Sequence, residues 1–381
     1  MFPATTDVLI VGAGPAGLTL AVGLAQQGRH VTVVDRLAAG DHTSRAAVVH
    51  ARTLEVLQPY GVADRLATQG IQAPRFTIRD RDRILVPVRF DDLPTEYPYT
   101  LLVSQAVTEA VLLQRLTELG GQVLRPYPVT CLEQDDTGVT ATFSDGGRIR
   151  AAYAVGADGM HSTVREQAGI GFTGGTYEES FSLADVRLSG GVPDNEVILY
   201  FSPAGLVVVA PLPGGVHRIV ATVQDAPQQP DITFVQHLLD TRGPEARPAT
   251  VHEVVWGSRF RLHHRVADSY RAGRILLAGD AAHVHSPAGG QGMNAGITDA
   301  VALAESLGAV LDGGSPDLLD TYTATRRPVA QQVVALADRL TRLATINPRL
   351  RPIRNLTLGL LARSPAFRRQ LARRLSGLVY R

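Results

Sequence analysis

The feature that most constrains this chain is its beginning, where an apolar run Val8-Leu9-Ile10-Val11 leads directly into Gly12-Ala13-Gly14-Pro15-Ala16-Gly17. Behind it, Pro15 to Gln27 carries apolar residues at helical spacing, Gly28 stops the pattern, and Val31 to Val34 is a second β-branched run. Strand, glycine turn, helix and strand form one β-α-β unit, which implies a parallel sheet and an α/β class. Glycines in such a turn permit a tight bend, close backbone approach to a pyrophosphate, and close packing of helix on strand. The helix start adds unpaired N–H groups and positive partial charge for the phosphates. Asp35 closes the second strand, 18 residues beyond Gly17, where a carboxylate can accept hydrogen bonds from both ribose hydroxyls. The pattern predicts dinucleotide binding by Gly12, Gly14, Pro15, Ala16, Gly17, Asp35 and the adjoining Arg36, without separating FAD from NAD.

A second glycine-rich stretch lies far downstream. Gly273 to Gly279 reads as a buried strand ending in Gly279-Asp280, followed by Ala281-Ala282-His283 and then Pro287-Ala288-Gly289-Gly290-Gln291-Gly292-Met293-Asn294. Asp280 at a strand's C-terminal edge can bind a polyol hydroxyl. A helix opening near Gly292 would place positive dipole charge beside an anionic ring system.

Between these motifs the pattern changes. Helical spacing is read at Arg52 to Leu57 and Val107 to Leu119, and a meander at Val123 to Arg150. Phe181 to Phe260 reads as strands separated by Gly/Pro turns, which suggests a mostly antiparallel sheet. Thr298 to Leu311 returns to a helix, and the last forty residues look helical, broken at Pro348, Pro352 and Pro365. The expected architecture is α/β: a Rossmann-like FAD-binding domain (1–73, 102–173 and 266–338) interrupted by a mostly antiparallel β-sheet substrate domain (74–101 and 174–265). A basic C-terminal helical segment (339–381) follows.

Composition narrows the chemistry. The 381 residues suffice for two domains, and 45% apolar with 19% charged residues fits neither a disordered chain nor a membrane protein. No basic stretch precedes the first strand, so the N-terminus reads as structure and not as a signal peptide. One cysteine, Cys131, excludes an internal disulfide and any multi-cysteine metal site, and a reducing cytoplasm is the expected location. There is no lysine; all 37 basic residues are arginine, which excludes Schiff-base and P-loop mechanisms. Residues 339–381 hold eleven arginines and no carboxylate, so subtraction from the formal +1 leaves about −10 on the remainder. From Leu356 to Leu375, leucines recur at helical spacing among these arginines. The expectation is that they pack on the acidic body while the arginines are solvated. Membrane-surface contact and docking of an anionic carrier protein are the alternatives, and neither nucleic-acid binding nor a transmembrane span is expected.

Three separated motifs, Gly12 to Gly17, Gly156-Ala157-Asp158-Gly159 with Ser162 and Arg165, and Gly279-Asp280 through Asn294, occur in this order. In them the chain resembles the group A flavoprotein aromatic hydroxylases, the p-hydroxybenzoate hydroxylase-like family, and above all its bacterial branch acting on polyketides and phenols. The resemblance spans nearly the whole chain and implies the short form without a thioredoxin-like third domain. It implies non-covalent FAD, with the pyrophosphate on the first glycine turn and the adenosine ribose on Asp35, where the family more often has glutamate. It places Arg45 and Gln105 beside FAD and a backbone group of Val129 at adenine. Asp280 would bind the ribityl chain, and Gly292, Met293 and Asn294 the isoalloxazine edge, with Pro287 and Gly290 in the same site. Asp158 matches a motif associated with both FAD and NAD(P)H, although it can equally brace the fold.

The resemblance further implies an NAD(P)H-dependent monooxygenase, with NADPH favoured as a transient co-substrate. Dioxygen would add at flavin C4a, and the resulting hydroperoxide would pass one oxygen atom to an aromatic or polyketide-like substrate. Baeyer–Villiger insertion, epoxidation and oxygen-independent reduction on the same scaffold remain open, as does a flavin-binding protein without turnover. A flavin halogenase fits poorly, because its lysine is missing and Trp256 is the only tryptophan. No catalytic base is assigned and no metal is expected. His263, His264, His283 and His285 read as loop or flavin-site residues, Trp256 and Phe260 as core, and His217, Tyr200 and Arg187 as possible substrate contacts.

Overall fold

Apolar β-branched runs pair in register at the centre of the molecule, for which a computed structural model describes residues 3–40, 46–287 and 289–380. The Thr5–Val11 strand lies between Val31–Val34 and Arg148–Gly156, parallel to both, with Ile10 opposite Val33 on one side and Val155 on the other. Among the described residues this sheet has eight strands, running Arg271–Ala272, Ile275–Leu277, Arg148–Gly156, Thr5–Val11, Val31–Val34, Val123–Leu124, with Gly138–Phe143 and Val129–Asp135 branching from Arg148–Gly156. Val8, Leu9 and Ile10 are all fully buried because both faces are covered. The Pro15–Gln26 helix packs against Gly292–Leu311 and Gln105–Glu118. Gly23 permits that approach, since a Cβ there would lie 2.7 Å from the Tyr60 hydroxyl and 2.8 Å from Ala304 Cβ.

A second eight-stranded sheet is built on two 18-residue strands, Phe172–Ser189 and Thr250–Ala267, paired antiparallel. Val216–Val223, Gly205–Leu212 and Glu196–Ser202 extend it. Arg75–Asp80 joins parallel to Glu196–Ser202, with Arg83–Arg89 as the outer strand. At the other edge, His283–Val284 pairs with Arg265 and Val266, so the second glycine-rich segment is tied into this sheet. Val48–Val49, Thr100–Leu102 and Ile71–Ala73 form a small third sheet.

Several expectations require correction. The helix expected to open near Gly292 does so and runs unbroken to Leu311, so the narrower helical pattern read at Thr298 to Leu311 covers only its later turns. The Ile232–Arg242 helix, capped by Asp231 on the N–H of Phe234, stands where only strands and turns were expected. The tail is interrupted near Pro348, Pro352 and Pro365 as expected, and the last two prolines each sit in the first turn of the helix that follows (Arg351–Leu361 and Pro365–Leu375), where proline is tolerated. Pro328 lies inside Leu318–Ala344, a continuous helix through which the division after residue 338 would cut. The tail leucines do not all pack inward either. Leu356, Leu360 and Leu361 are exposed, whereas Arg354 is buried, donating to the carbonyls of Leu343 and Phe201.

Candidate active site

The first glycine turn is shaped by close backbone approaches. Gly12 has φ +106°, and a Cβ there would drive into the carbonyl oxygen of Ala157; one at Gly17 would drive into the carbonyl oxygen of Gly12. Above Gly14 nothing lies within 4 Å of where a Cβ would stand. Gly14 is also the N-cap of the Pro15–Gln26 helix and supplies no side-chain cap. Open space over an uncapped helix start fits a pyrophosphate. Asp35 accepts hydrogen bonds from Ala13 N and Leu37 N, both at 2.8 Å, and Arg125 lies 3.9 Å away. It therefore holds the turn to the second strand. Arg36 beside it is exposed. Val129 starts the Val129–Asp135 strand and pairs with Phe143.

The second glycine-rich segment ends the Ile275–Leu277 strand at Gly279, with φ +64°, and leaves Asp280 exposed. The Gly292–Leu311 helix starts at Gln291 without a side-chain cap. Asn294 is engaged within the protein: its Oδ1 accepts from His50 N at 2.8 Å, and its Nδ2 donates to Val48 O at 2.9 Å and Gly290 O at 2.7 Å. Its side chain thus pins the Val48–His50 segment to the helix start. Its role at a flavin edge could only run through its backbone. Asp158 is occupied as well, accepting from Ser162 Oγ at 2.5 Å and Val164 N at 3.2 Å. Burial raises its pKa in spite of these donors.

Pro15, Gln105, Asp280, Pro287, Gly290, Gly292 and Met293, all predicted from sequence, converge on one cavity of about 280 Å³. Its other wall comes from the second sheet, with Leu183, Leu199, Val208, Val220 and Phe260. Phe260 stacks on Phe181, with ring centroids 5.9 Å apart. It therefore both packs in the core and faces the cavity. Trp256, Tyr200, His217 and Arg187 do not line it. Asp35, Asp158, Val129 and Arg36 lie elsewhere, and Arg45 lies outside the described residues.

Sequence reasoning missed three contributors, Arg218, His50 and Leu375, whereas His285 was among the residues read as loop or flavin-site groups. Arg218 is a buried cation in the cavity wall, paired with Asp185 at 2.7 and 2.8 Å and donating to Ala46 O at 3.0 Å. Its position two residues before Val220 on one strand face was the available signal. His50 and His285 also line the cavity; burial holds both pKa values down to about 4, so both rings are neutral near pH 7. His50 Nε2 donates to Gly289 O at 3.0 Å, and His285 Nδ1 donates to Ser286 O at 2.7 Å. Leu375, from the distant C-terminal helix, completes the lining. Gln291 Nε2 reaches its carbonyl at 3.1 Å.

Behind the loop, His283 is not a free flavin-site group. Its Nε2 lies 2.6 Å from Asp299, which also accepts from Arg326 Nε at 2.6 Å. Burial opposes ionisation of Asp299, but Arg326 and His283 overcome it and its pKa is lowered. This cluster fastens the Gly292–Leu311 helix to Leu318–Ala344.

The chain is similar to known proteins. A family described as FAD binding domain matches residues 5–337. The 12-dehydrotetracycline 5-monooxygenase/anhydrotetracycline 6-monooxygenase of Streptomyces rimosus is 37% identical over 398 residues, which cover 98% of this chain and 77% of that protein. The solved p-nitrophenol 4-monooxygenase of Pseudomonas putida superposes with a TM-score of 0.85 at 26% identity, covering 97% of each chain. Aklavinone-11 hydroxylase, solved in a ternary complex with FAD and aklavinone, superposes with a TM-score of 0.76 at 30% identity, covering 92% of this chain and 71% of that one.

Proposed function

The chain belongs to the FAD binding domain family and is an FAD-dependent monooxygenase, and we propose that it hydroxylates a polycyclic phenol of the polyketide type with NADPH as electron donor. The observation that carries the substrate class is the cavity itself. Apolar side chains of the long-stranded sheet face Asp280 and the open start of the Gly292–Leu311 helix across a space of about 280 Å³. A flat, largely apolar ring system suits such walls. Hydroxylases whose names carry tetracyclines and aklavinone align with nearly all of the chain.

In this reading the first sheet and its helices hold the cofactor, the second sheet holds the substrate, and residues 339–381 brace both. Gly12, Gly14, Pro15, Ala16 and Gly17 receive the pyrophosphate, Asp35 and Arg36 the adenosine side, and Val129 the adenine. Asp280 and Gln105 meet the ribityl chain, and Pro287, Gly290, Gly292, Met293 and the Asn294 backbone border the ring, with Arg45 and Asp158 as supporting groups. When bound, FAD reduced by NADPH would supply the two electrons that activate dioxygen, one oxygen atom of which goes to the substrate and the other to water. The protein's own part is to orient and to exclude water. The uncapped N–H groups at Gly292 would stabilise negative charge on a bound ring system, while His50 and His285, neutral near pH 7, leave that task to the helix start. Apolar walls keep the transferred oxygen from reaching water instead of substrate.

The test is a single-turnover assay with labelled dioxygen, NADPH and a panel of monocyclic and tetracyclic phenols. Label in the product, with NADPH oxidation stimulated most by the tetracyclic members, is the expected result. Unlabelled product, or stimulation by simple phenols alone, would overturn the proposed reaction or substrate class respectively.

A further inference from the structure

The C-terminal helices present a face that the fold leaves uncovered. On Arg351–Leu361 and the residue before it, Ile353 is 63% exposed, Leu356 60%, Leu360 52% and Leu350 48%, and Leu361 is exposed beside them. At about 100° per residue these side chains fall on one arc. Leu358 and Ala362 are buried on the opposite arc with Arg354 and Asn355, so the apolar stripe is additional to the one that anchors the helix. Single exposed leucines are ordinary; a contiguous stripe of five is a mark of an interaction surface.

Charge around the stripe narrows the partner. Arg349 and Arg363 stand at its two ends, and Arg369, Arg373 and Arg374 project from the Pro365–Leu375 helix. All five are exposed and have no carboxylate partner among the described residues. Residues 339–381 contain no carboxylate at all. A second copy docking on the same face by two-fold symmetry would bring these arginines against themselves, which disfavours that occupant. An anionic lipid surface satisfies both features together, taking the leucines into its acyl boundary while guanidinium groups fork onto phosphates.

We infer that the Arg351–Leu361 helix and its flanking arginines form a docking face for an anionic membrane surface. The Pro365–Leu375 helix packs on the outer strand Arg83–Arg89, and Leu375 lines the substrate cavity.

The experiment is co-sedimentation of the FAD-loaded enzyme with phosphatidylcholine vesicles, with and without phosphatidylglycerol, followed by flavin absorbance in the pellet. Binding is expected only when phosphatidylglycerol is present and should weaken as salt rises. The doubly substituted Leu356→Asp, Leu360→Asp enzyme should partition at least ~10-fold less while keeping its flavin and its NADPH oxidation rate. Arg363→Glu with Arg369→Glu should lower binding without touching the leucines. Wild-type enzyme left in the supernatant at low salt would overturn the inference, as would vesicle binding unaffected by either pair. A dimer in gel filtration that the leucine substitutions dissociate would give the face to a second copy, and that too would overturn it.

Discussion

The two large sheets bury their strands equally well but for different reasons. In the first, Val8, Leu9 and Ile10 are consecutive and all buried, because they lie on the parallel central strand of a sheet covered on both faces. In the second, Glu196–Ser202 is buried at every position, although its sheet is mostly antiparallel. Val197 and Leu199 face the cavity, while Ile198 and Tyr200 join a separate core under the Ile232–Arg242 helix. One sheet is announced by consecutive apolar residues on its central strand. The other faces a helix on one side and a ligand space on the other. Cofactor binding should therefore depend on backbone shape in the first sheet, and substrate choice on side-chain volume in the second.

The strongest way to break that division is Gly12→Ala. The added Cβ meets the Ala157 carbonyl at a φ that suits glycine, and the expected loss of FAD affinity is about a thousandfold, or roughly 4 kcal/mol. Flavin absorbance after gel filtration measures it, and retention of normal flavin content would refute the backbone argument. The next effect concerns the seam between the sheets, where His50 is buried and its pKa is lowered to about 4. Because the folded value lies below the ordinary 6.5, this residue stabilises the fold above pH 6.5, and the contribution is lost as pH falls toward 4. Its share of the loss should be roughly 3 kcal/mol. Urea midpoints at pH 7.5 and 4.5 would show it, and a His50→Gln protein should have a flatter profile.

On the substrate side, Val208→Trp fills part of the cavity and should raise KM about tenfold for a tetracyclic phenol, with overpacking of the usual order. FAD content should not change. If flavin is lost instead, the two sheets do not divide the labour as described. The smallest effect is expected for Asp35→Asn, which keeps a partner for Ala13 N but weakens the charge-assisted bonds. FAD affinity should fall about fivefold, or ~1 kcal/mol, by equilibrium titration.

The same contrast explains what could be read from sequence. Short-range chemistry was legible. The turn at Gly12–Gly17, the acid at Asp35 and the Gly279-Asp280 segment each signal through glycine spacing, and the structure brings several of the predicted residues to one cavity. Long-range contributions were not legible. Arg218 sits in the cavity wall because Asp185, 33 residues away on a neighbouring strand, neutralises it there. His50 is held by Gly289 and Asn294, more than 200 residues distant. The first turns of the Gly292–Leu311 helix are rich in small residues that allow close approach to other backbone, as at Gly296, where a Cβ would lie 3.1 Å from Gly279 Cα, a contact between segments that the sequence pattern does not display. Asn294 was placed at the isoalloxazine edge as a residue, and the sequence could not show that its side chain is taken up by His50, Val48 and Gly290, since a buried amide must find partners wherever the fold supplies them.

The bonds from Gln291 to the Leu375 carbonyl and from Arg52 N to the Ser376 carbonyl carry a consequence for biosynthesis. Residues near position 50 wait for a partner made more than 300 residues later. On a ribosome, the nucleotide turn can form early, but the seam around His50 and Gln291 cannot close until the final helix has emerged. Chains stalled before that point would expose an apolar cleft to quality control, and the yellow colour of the finished enzyme should lag behind synthesis.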